Sequence, residues 1–191
     1  MKSTNQFYLK LSQESLSNSK TWLEEANHLL FERRSYGHST TLSLFSMEET
    51  VKSWICWSVG IGLMSPNDKY LKEVFRSHGS KMAALIFYWI VANAPILSQS
   101  FQKELSEDDK KQLESLMKQI NIDKISNDLV YLRMKGLYVD YKKNVIISPN
   151  EITKDDTDGF FLDAFRFYKY MEIILNSYEK LDDEKKREFM A

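Results

Sequence analysis

Apolar residues recur at helical spacing along most of the chain and predict long helices. Leucines stand at every seventh position from Leu9 to Leu30, on one face of a first helix. Residues between 136 and 153 are rich in β-branched and aromatic side chains and predict a small hairpin or an ordered loop. The pattern therefore predicts an all-α protein, a bundle of about five helices at 8–33, 38–63, 69–94, 125–135 and 154–180.

Start and stop signals set the predicted ends of these helices. Basic residues suit the C-terminal dipole and glycine permits a turn, so Arg33, Arg34 and Gly37 predict the end of the first helix. Thr153 and Asp156 have the spacing of a capping box before the last helix. One domain is predicted over 1–191, with a polar peripheral insertion at 98–125, where a short helix follows Ser106, and a charged tail at 179–191.

Composition and charge narrow the class of protein. The 26 basic and 27 acidic residues leave a net charge of −1, so no global field attracts nucleic acid or an anionic membrane. The single cysteine, Cys56, excludes a disulfide framework and fits a reducing cytosol. The longest strictly apolar run, 82–92, is shorter than the roughly 20 residues of a membrane span. We expect a cytoplasmic protein with no membrane segment, metal or cofactor.

Ionisable residues interrupt two otherwise apolar stripes. One stripe follows the second predicted helix through Leu42, Phe45, Glu49, Lys52, Cys56, Val59 and Leu63. The other follows the third predicted helix through Leu71, Phe75, His78, Met82, Leu85, Trp89 and Ala92. Because an isolated buried charge costs several kcal/mol, these positions require partners.

Glu49 and Lys52 have the i,i+3 spacing of an ion pair, although Glu48 is an equally good partner at i,i+4. Antiparallel packing of the two helices would bring His78 near them, with Arg76 and Lys81 flanking it. An acid, a histidine and cations in a partly dry place suit general acid–base or phosphate chemistry. The simpler interpretation is that these groups are structural and satisfy one another.

Other candidate residues give weaker evidence of a functional role. Arg33 and His38 have a nuclease-like spacing of four intervening residues, but they straddle a predicted turn. Cys56 is predicted to be buried and inert. Trp54 and Trp57 are predicted to be core or dimer surface, as are Tyr88 and Trp89. The sequence has no phosphate-binding glycine loop and no serine-nucleophile motif.

Three segments resemble the AbiV family of abortive-infection proteins, within the HEPN superfamily. Ser46–Lys52 is similar to the family's Leu-Glu-Glu-Leu-Gly-Lys pattern, and Phe75–Met82 is similar to its Phe-Arg-x-His-x-x-Lys-Leu. The most specific is the segment Lys135–Tyr141, followed by Ile147-Ser148-Pro149 and Glu151-Ile152-Thr153. The resemblance covers about residues 10–178.

The resemblance implies a helical domain, often dimeric, that acts in defence against bacteriophage. Many HEPN relatives are metal-independent ribonucleases, in which an arginine and a histidine four to six residues apart act on the scissile phosphate. As a ribonuclease, this chain would use His78 as general acid/base, a cation (Lys52, Arg76 or Lys81) beside the phosphate, Glu49 as orienting group, and Glu48, Tyr138 and Asp140 as lining residues.

This chain departs from the HEPN spacing. Arg76 and His78 have only one residue between them and point about 200° apart on a helix. Lys81 or a partner chain would then supply the second group.

Two hypotheses follow. The first is a dormant ribonuclease toxin that cleaves RNA or blocks translation after infection, acting as a homodimer. The second is a non-enzymatic protein that binds a phage or translation component and arrests growth. Neither hypothesis predicts DNA as a partner.

Overall fold

The computed structural model describes residues 4–67, 106–108, 110, 111, 115, 140–142 and 145–190. Helices dominate these residues, which confirms the all-α prediction. The predicted helices at 69–94 and 125–135 lie outside the described residues. The elements are α1 (Thr4–Phe31), α2 (Tyr36–Gly60), β1 (Asp140–Lys142), β2 (Val145–Ile147), a 3-10 turn (Pro149–Glu151), α3 (Lys154–Glu179) and α4 (Asp183–Met190).

Helices α1, α2 and α3 pack around one core. Contacts between α1 and α2 pair Ser12 with Ser53 and, at the other end, Ala26 with Ser39, so the two helices are antiparallel. Helix α3 runs alongside α2 in the same direction, because Thr157 contacts Thr40 and Tyr178 contacts Trp57. The largest fully buried side chains of the described residues are Trp57, Phe167, Leu30, Leu44, Met47, Ile55, Ile61, Met171, Val51 and Val59.

Buried hydroxyl groups line the contact between α1 and α2. The Ser12 hydroxyl donates to the Ser53 carbonyl oxygen over 2.7 Å. The Ser19 Oγ lies 2.8 Å from both Ser46 Oγ and Thr50 Oγ1. Because these small side chains satisfy one another, α2 buries its polar positions without leaving those hydroxyls unpaired.

The turn between α1 and α2 differs from its prediction. Arg34, and not Gly37, takes the left-handed conformation, with φ of 54°. The Ser35 N–H closes this turn on the Leu29 carbonyl oxygen over 2.9 Å. Gly37 already belongs to α2, where a Cβ atom would stand 2.6 Å from the Pro149 carbonyl oxygen. The glycine is therefore needed for a close approach between segments and not for the turn.

The segment before α3 folds as the pattern predicts and docks on the start of α2. Strands β1 and β2 pair antiparallel, with Asp140 opposite Ile147. The capping box at Thr153 and Asp156 is formed, with the Asp156 N–H donating to Thr153 Oγ1 over 3.2 Å. Thr157 donates to the Tyr36 carbonyl oxygen over 3.2 Å. The family-like segment is thus tied to the first turn of α2.

Helical residues occur in both polar regions, the insertion at 98–125 and the tail at 179–191. Residues 107, 108, 110, 111 and 115 are helical, which agrees with the short helix predicted after Ser106. The charged tail at 179–191 is not only a tail, because Asp183–Met190 forms α4. The Asp182 carboxylate accepts from the Lys185 N–H over 2.9 Å and caps this helix. Among the described helices, none is both long and apolar enough to cross a membrane.

Candidate functional site

The least buried stripe of α2 carries the charged candidates. Leu42, Phe45, Glu49 and Lys52 are half-buried, whereas most of the remaining α2 positions are fully buried. The third predicted helix, which was expected to pack on this stripe, lies outside the described residues. Deep burial begins only at Cys56 and Val59, with 0% and 2% exposure. These four side chains are therefore only partly covered.

Glu49 and Lys52 form an ion pair at the centre of this stripe. Their side chains keep 15% and 20% exposure, so the pair is neither fully solvated nor sealed in the core. The structure therefore settles the open question of register in favour of Glu49. An ammonium group has three donor hydrogens, and those not used by Glu49 are available to the oxygens of a phosphate.

Glu48 takes a different position. It is 5% exposed and belongs to the buried polar residues of α2. The expected role of a substrate-lining residue requires access, which this degree of burial restricts. Glu48 therefore fits the interior of the bundle better than the half-buried stripe.

Cys56 lies four residues after Lys52, where the stripe becomes buried. Burial raises the pKa of its thiol to about 12, with Glu49 acting in the same direction and Lys52 opposing it. The thiol therefore stays protonated at neutral pH and is a poor nucleophile. This agrees with the prediction of an inert, buried cysteine.

Aromatic rings flank the pair on the side of α1. Phe45, one turn before Glu49, meets Trp22 edge to face with 5.7 Å between ring centroids. The sequence identified both rings only as packing residues, although the i,i+4 spacing from Phe45 to Glu49 places them at the same site. Trp54 and Trp57, in contrast, are 6% and 0% exposed and belong to the core.

Several predicted site residues fall elsewhere. His78, Arg76, Lys81 and Tyr138 lie outside the described residues, as do Tyr88 and Trp89. Asp140 begins β1, and its backbone pairs with Ile147. The structure therefore brings Glu49 and Lys52 together and does not test their convergence with His78.

Arg33 and His38 stand on opposite sides of the exposed turn between α1 and α2, as predicted. The Nδ1 atom of His38 lies 2.9 Å from the Ser35 hydroxyl. Both side chains are exposed. Within the described ranges, no three His, Cys, Asp or Glu residues are grouped in a way that could hold a metal ion.

The described helices define an all-α protein that is consistent with a HEPN-like bundle, with a half-buried ion pair on its second helix. The sequence model of the AbiV family matches residues 7–166. The chain therefore belongs to the AbiV family of the HEPN superfamily and is a HEPN-type abortive-infection protein. Comparison with curated proteins and with solved structures returned no match.

Proposed function

We propose that this protein is a dormant HEPN-type ribonuclease toxin of the cytoplasm that cleaves RNA once infection activates it. The observation that supports the proposal most directly is the half-buried Glu49–Lys52 pair on the least covered stripe of α2. The pair lies in Ser46–Lys52, one of the segments that resemble the AbiV pattern. A cation in such a place attracts a phosphate more strongly than a fully solvated lysine does.

Each candidate residue has a role in this proposal. Lys52 binds the scissile phosphate, and Glu49 holds its ammonium group in place. His78 transfers the proton, with Arg76 or Lys81 as a second cation. Tyr138 and Asp140 line the site. Glu48, given its burial, supports the helix from inside.

The proposed reaction needs no external reagent. His78 removes the proton of the 2′-hydroxyl, and the 2′-oxygen forms a bond to phosphorus. The bond from phosphorus to the 5′-oxygen breaks, and that oxygen takes the proton that His78 carries. The products are a 2′,3′-cyclic phosphate end and a 5′-hydroxyl end, and Lys52 neutralises the charge that develops on the phosphate oxygens.

The test is RNA cleavage by the purified full chain, with and without a lysate of phage-infected cells, at matched protein concentration. We expect cleavage that leaves cyclic phosphate ends. General acid–base catalysis contributes about 10²–10⁴-fold, so His78→Ala should reduce the rate by at least about a hundredfold. Lys52→Met should cause a loss of about 10²-fold, typical of removing one electrostatic contact in a transition state.

The chain offers a matched control for Glu49. Asp163 and Arg166 form a second i,i+3 pair, on α3, with side-chain exposures of 10% and 22%. Asp163→Asn should therefore destabilise the protein about as much as Glu49→Gln, while only Glu49→Gln slows cleavage. Equal activity of these two variants would make Glu49 a structural residue.

Cleavage that persists unchanged in both His78→Ala and Lys52→Met would refute the assigned site. Growth arrest without any RNA cleavage would instead support the non-enzymatic alternative, in which the protein binds a phage or translation component. Copurification of that component with the wild-type chain would then identify the target.

A further inference from the structure

Three phenylalanine rings form a row where the end of α1 meets α3. Phe31, the last residue of α1, is 60% exposed, and Phe165 of α3 is 41% exposed. The half-buried Phe161 connects them, because its ring meets that of Phe31 edge to face with centroids 6.4 Å apart and it lies one turn before Phe165. Single exposed rings are ordinary, whereas a contiguous group of them is typical of an interaction site.

The spacing of the rings suits an extended chain of bases. Phe165 follows Phe161 by four residues, which is a rise of about 6 Å on one face of α3. This step and the 6.4 Å between Phe31 and Phe161 are both nearly twice the rise of about 3.4 Å per nucleotide in a duplex strand. Bases on these rings would therefore be unstacked from one another, as they are in a single strand.

Two arginines follow shortly after the first ring. Arg33 and Arg34 are exposed, and within the described ranges neither forms an ion pair. Arg34 takes the left-handed conformation, with φ of 54°, which glycine adopts at lower cost. An arginine thus stands where the backbone favours glycine, and residues in such strained conformations cluster at functional sites.

The acidic side chains next to the row have basic neighbours of their own. Lys154 donates to Asp158 over 2.5 Å and also lies within the electrostatic reach of Asp155. The Nδ1 atom of His28 lies 3.1 Å from the Glu32 carboxylate. Of the described residues at this end of the bundle, the two arginines are therefore the cations most available to a ligand. Guanidinium groups bind phosphate oxygens through paired hydrogen bonds.

We propose that this surface binds single-stranded RNA, with bases stacked on Phe31 and Phe165 and phosphates bound by Arg33 and Arg34. Single-strand binding that tolerates many sequences combines such rings with cations that follow the backbone. The surface is separate from the proposed cleavage site, because Lys52 lies 16 residues, or about 24 Å, beyond the first residue of α2. The inference rests on the proposed function in one respect, that RNA is the substrate.

Binding is measured by fluorescence anisotropy, with the full chain and a labelled, unstructured 2′-O-methyl RNA about 12 nucleotides long. The methyl group blocks the attacking hydroxyl, so binding is measured without cleavage. Phe31→Ala and Phe165→Ala should each raise the dissociation constant about fivefold or more, the effect of losing one base stacked on a ring.

Two controls separate stacking from simple exposure. Phe7 is 58% exposed near the other end of α1, where it meets Tyr8 edge to face with centroids 5.4 Å apart. Leu162 is 45% exposed beside the row but has no ring. Phe7→Ala and Leu162→Ala should each leave the dissociation constant within about twofold. Equal losses in Leu162→Ala and Phe165→Ala would mean a general apolar patch and would overturn the proposal.

Salt dependence tests the arginines. For single strands, each phosphate contact contributes about 0.7 to the slope of log affinity against log salt concentration. Arg33→Gln/Arg34→Gly should therefore lower that slope by about 1.4. Glycine suits the left-handed conformation, so Arg34→Gly should not reduce thermal stability while it weakens binding. Lys10→Gln, exposed near the other end of α1, is the control and should keep the wild-type slope.

Two competitors test the nature of the ligand. Duplex RNA of the same sequence should bind at least about tenfold more weakly, because its paired bases cannot stack on the rings. Polyglutamate has the charge but no bases, and should compete poorly at equal charge concentration. Equal competition by polyglutamate would overturn the proposal and would indicate an acidic protein segment as the partner.

The two proposals fail in different ways. Binding that depends on the rings, without any cleavage in infected-cell lysate, would refute the ribonuclease and leave the RNA-binding surface intact. Cleavage that requires His78, together with unchanged binding and cleavage in Phe31→Ala/Phe165→Ala, would refute the surface and leave the ribonuclease. Both rings are exposed, so their replacement should leave folding intact, which thermal unfolding of each variant checks.

Discussion

Helices α2 and α3 are of nearly equal length but meet their surroundings in opposite ways. Helix α2 is buried on most of its circumference, and much of that burial consists of serine and threonine hydroxyls. Helix α3 buries one face with aromatic and aliphatic side chains and leaves Leu162 and Phe165 uncovered on the other. The central helix thus buries small polar side chains together with its apolar ones, and the more amphipathic helix is peripheral.

The difference shows that burial depends on satisfied hydrogen bonds as well as on hydrophobicity. The Ser43 hydroxyl donates to the Ser39 carbonyl oxygen over 2.9 Å, within α2 itself. Ser39 in turn donates to the Ala26 carbonyl oxygen across the helix contact. With such bonds, small polar residues let two helices approach closely without an energetic penalty for unpaired groups. The exposed face of α3 does not need such hydrogen bonds, because polar groups there can bond to water.

The largest expected effect concerns the two faces of α3. Phe167 is 1% exposed and Phe165 is 41% exposed, two residues apart on the same helix. Phe167→Ala should lower the free energy of unfolding by about 3–5 kcal/mol, because it leaves a cavity in the core. Phe165→Ala should change it by no more than about 0.5 kcal/mol. Urea unfolding at low protein concentration checks both, and similar losses would contradict the assignment of the faces.

An intermediate effect is expected in the hydroxyl contact between α1 and α2. Ser19→Ala removes a hydroxyl that both Ser46 and Thr50 contact, which should cost about 1–3 kcal/mol. The exposed Ser17→Ala is the control and should be neutral or slightly stabilising.

A triple variant sharpens this test. Ser19→Ala/Ser46→Ala/Thr50→Val replaces all three hydroxyls by apolar groups, so no partner is left unpaired and part of the loss should return. A triple variant that is less stable than Ser19→Ala alone would contradict this. The loss in Ser19→Ala would then come from the missing hydrogen bonds and not from the unpaired hydroxyls left behind.

The smallest effect is a pH dependence that arises from Cys56 in α2. Its pKa is about 12 in the folded chain and about 8.5 when unfolded, so the unfolded state loses its proton first as pH rises. Stability is therefore unaffected below the unfolded value and falls between these two values, by up to about 1.4 kcal/mol per pH unit.

The tyrosines Tyr168, Tyr170 and Tyr178 of α3 also have raised pKa values and add to this loss. Cys56→Ala should accordingly show a shallower decline than the wild type between pH 8 and 9, by about 0.7 kcal/mol. Identical declines would mean that Cys56 is not protonated and buried as described.

Much of the fold could be predicted because the relevant signals are local. The capping box at Thr153 and Asp156 depends on a spacing of three residues, and its bonds form as expected. The short strands Asp140–Lys142 and Val145–Ile147 depend on the β-branched and aromatic residues of this segment. The ion pair between Glu49 and Lys52 depends only on neighbouring helix positions.

The errors arose where a distant segment decides the outcome. Gly37 was expected at a turn, but its lack of a side chain is required by Pro149, far along the chain. The burial of the α2 serines could not be predicted from α2 alone, because it depends on partners on α1. The site could be predicted only for residues on one helix, such as Glu49 and Lys52. Whether His78 lies near them depends on tertiary packing.

The tie between the start of α2 and the start of α3 also bears on synthesis. Thr40 and Thr157 bond over 3.0 Å although 117 positions separate them. At 5–20 residues per second, a ribosome needs roughly 6–23 s to make that intervening stretch. The hairpin of α1 and α2 can form early, but for those seconds one end of α2 stays open on the nascent chain. A chaperone that binds the nascent chain in this interval would meet α2 before α3 has packed on its first turn.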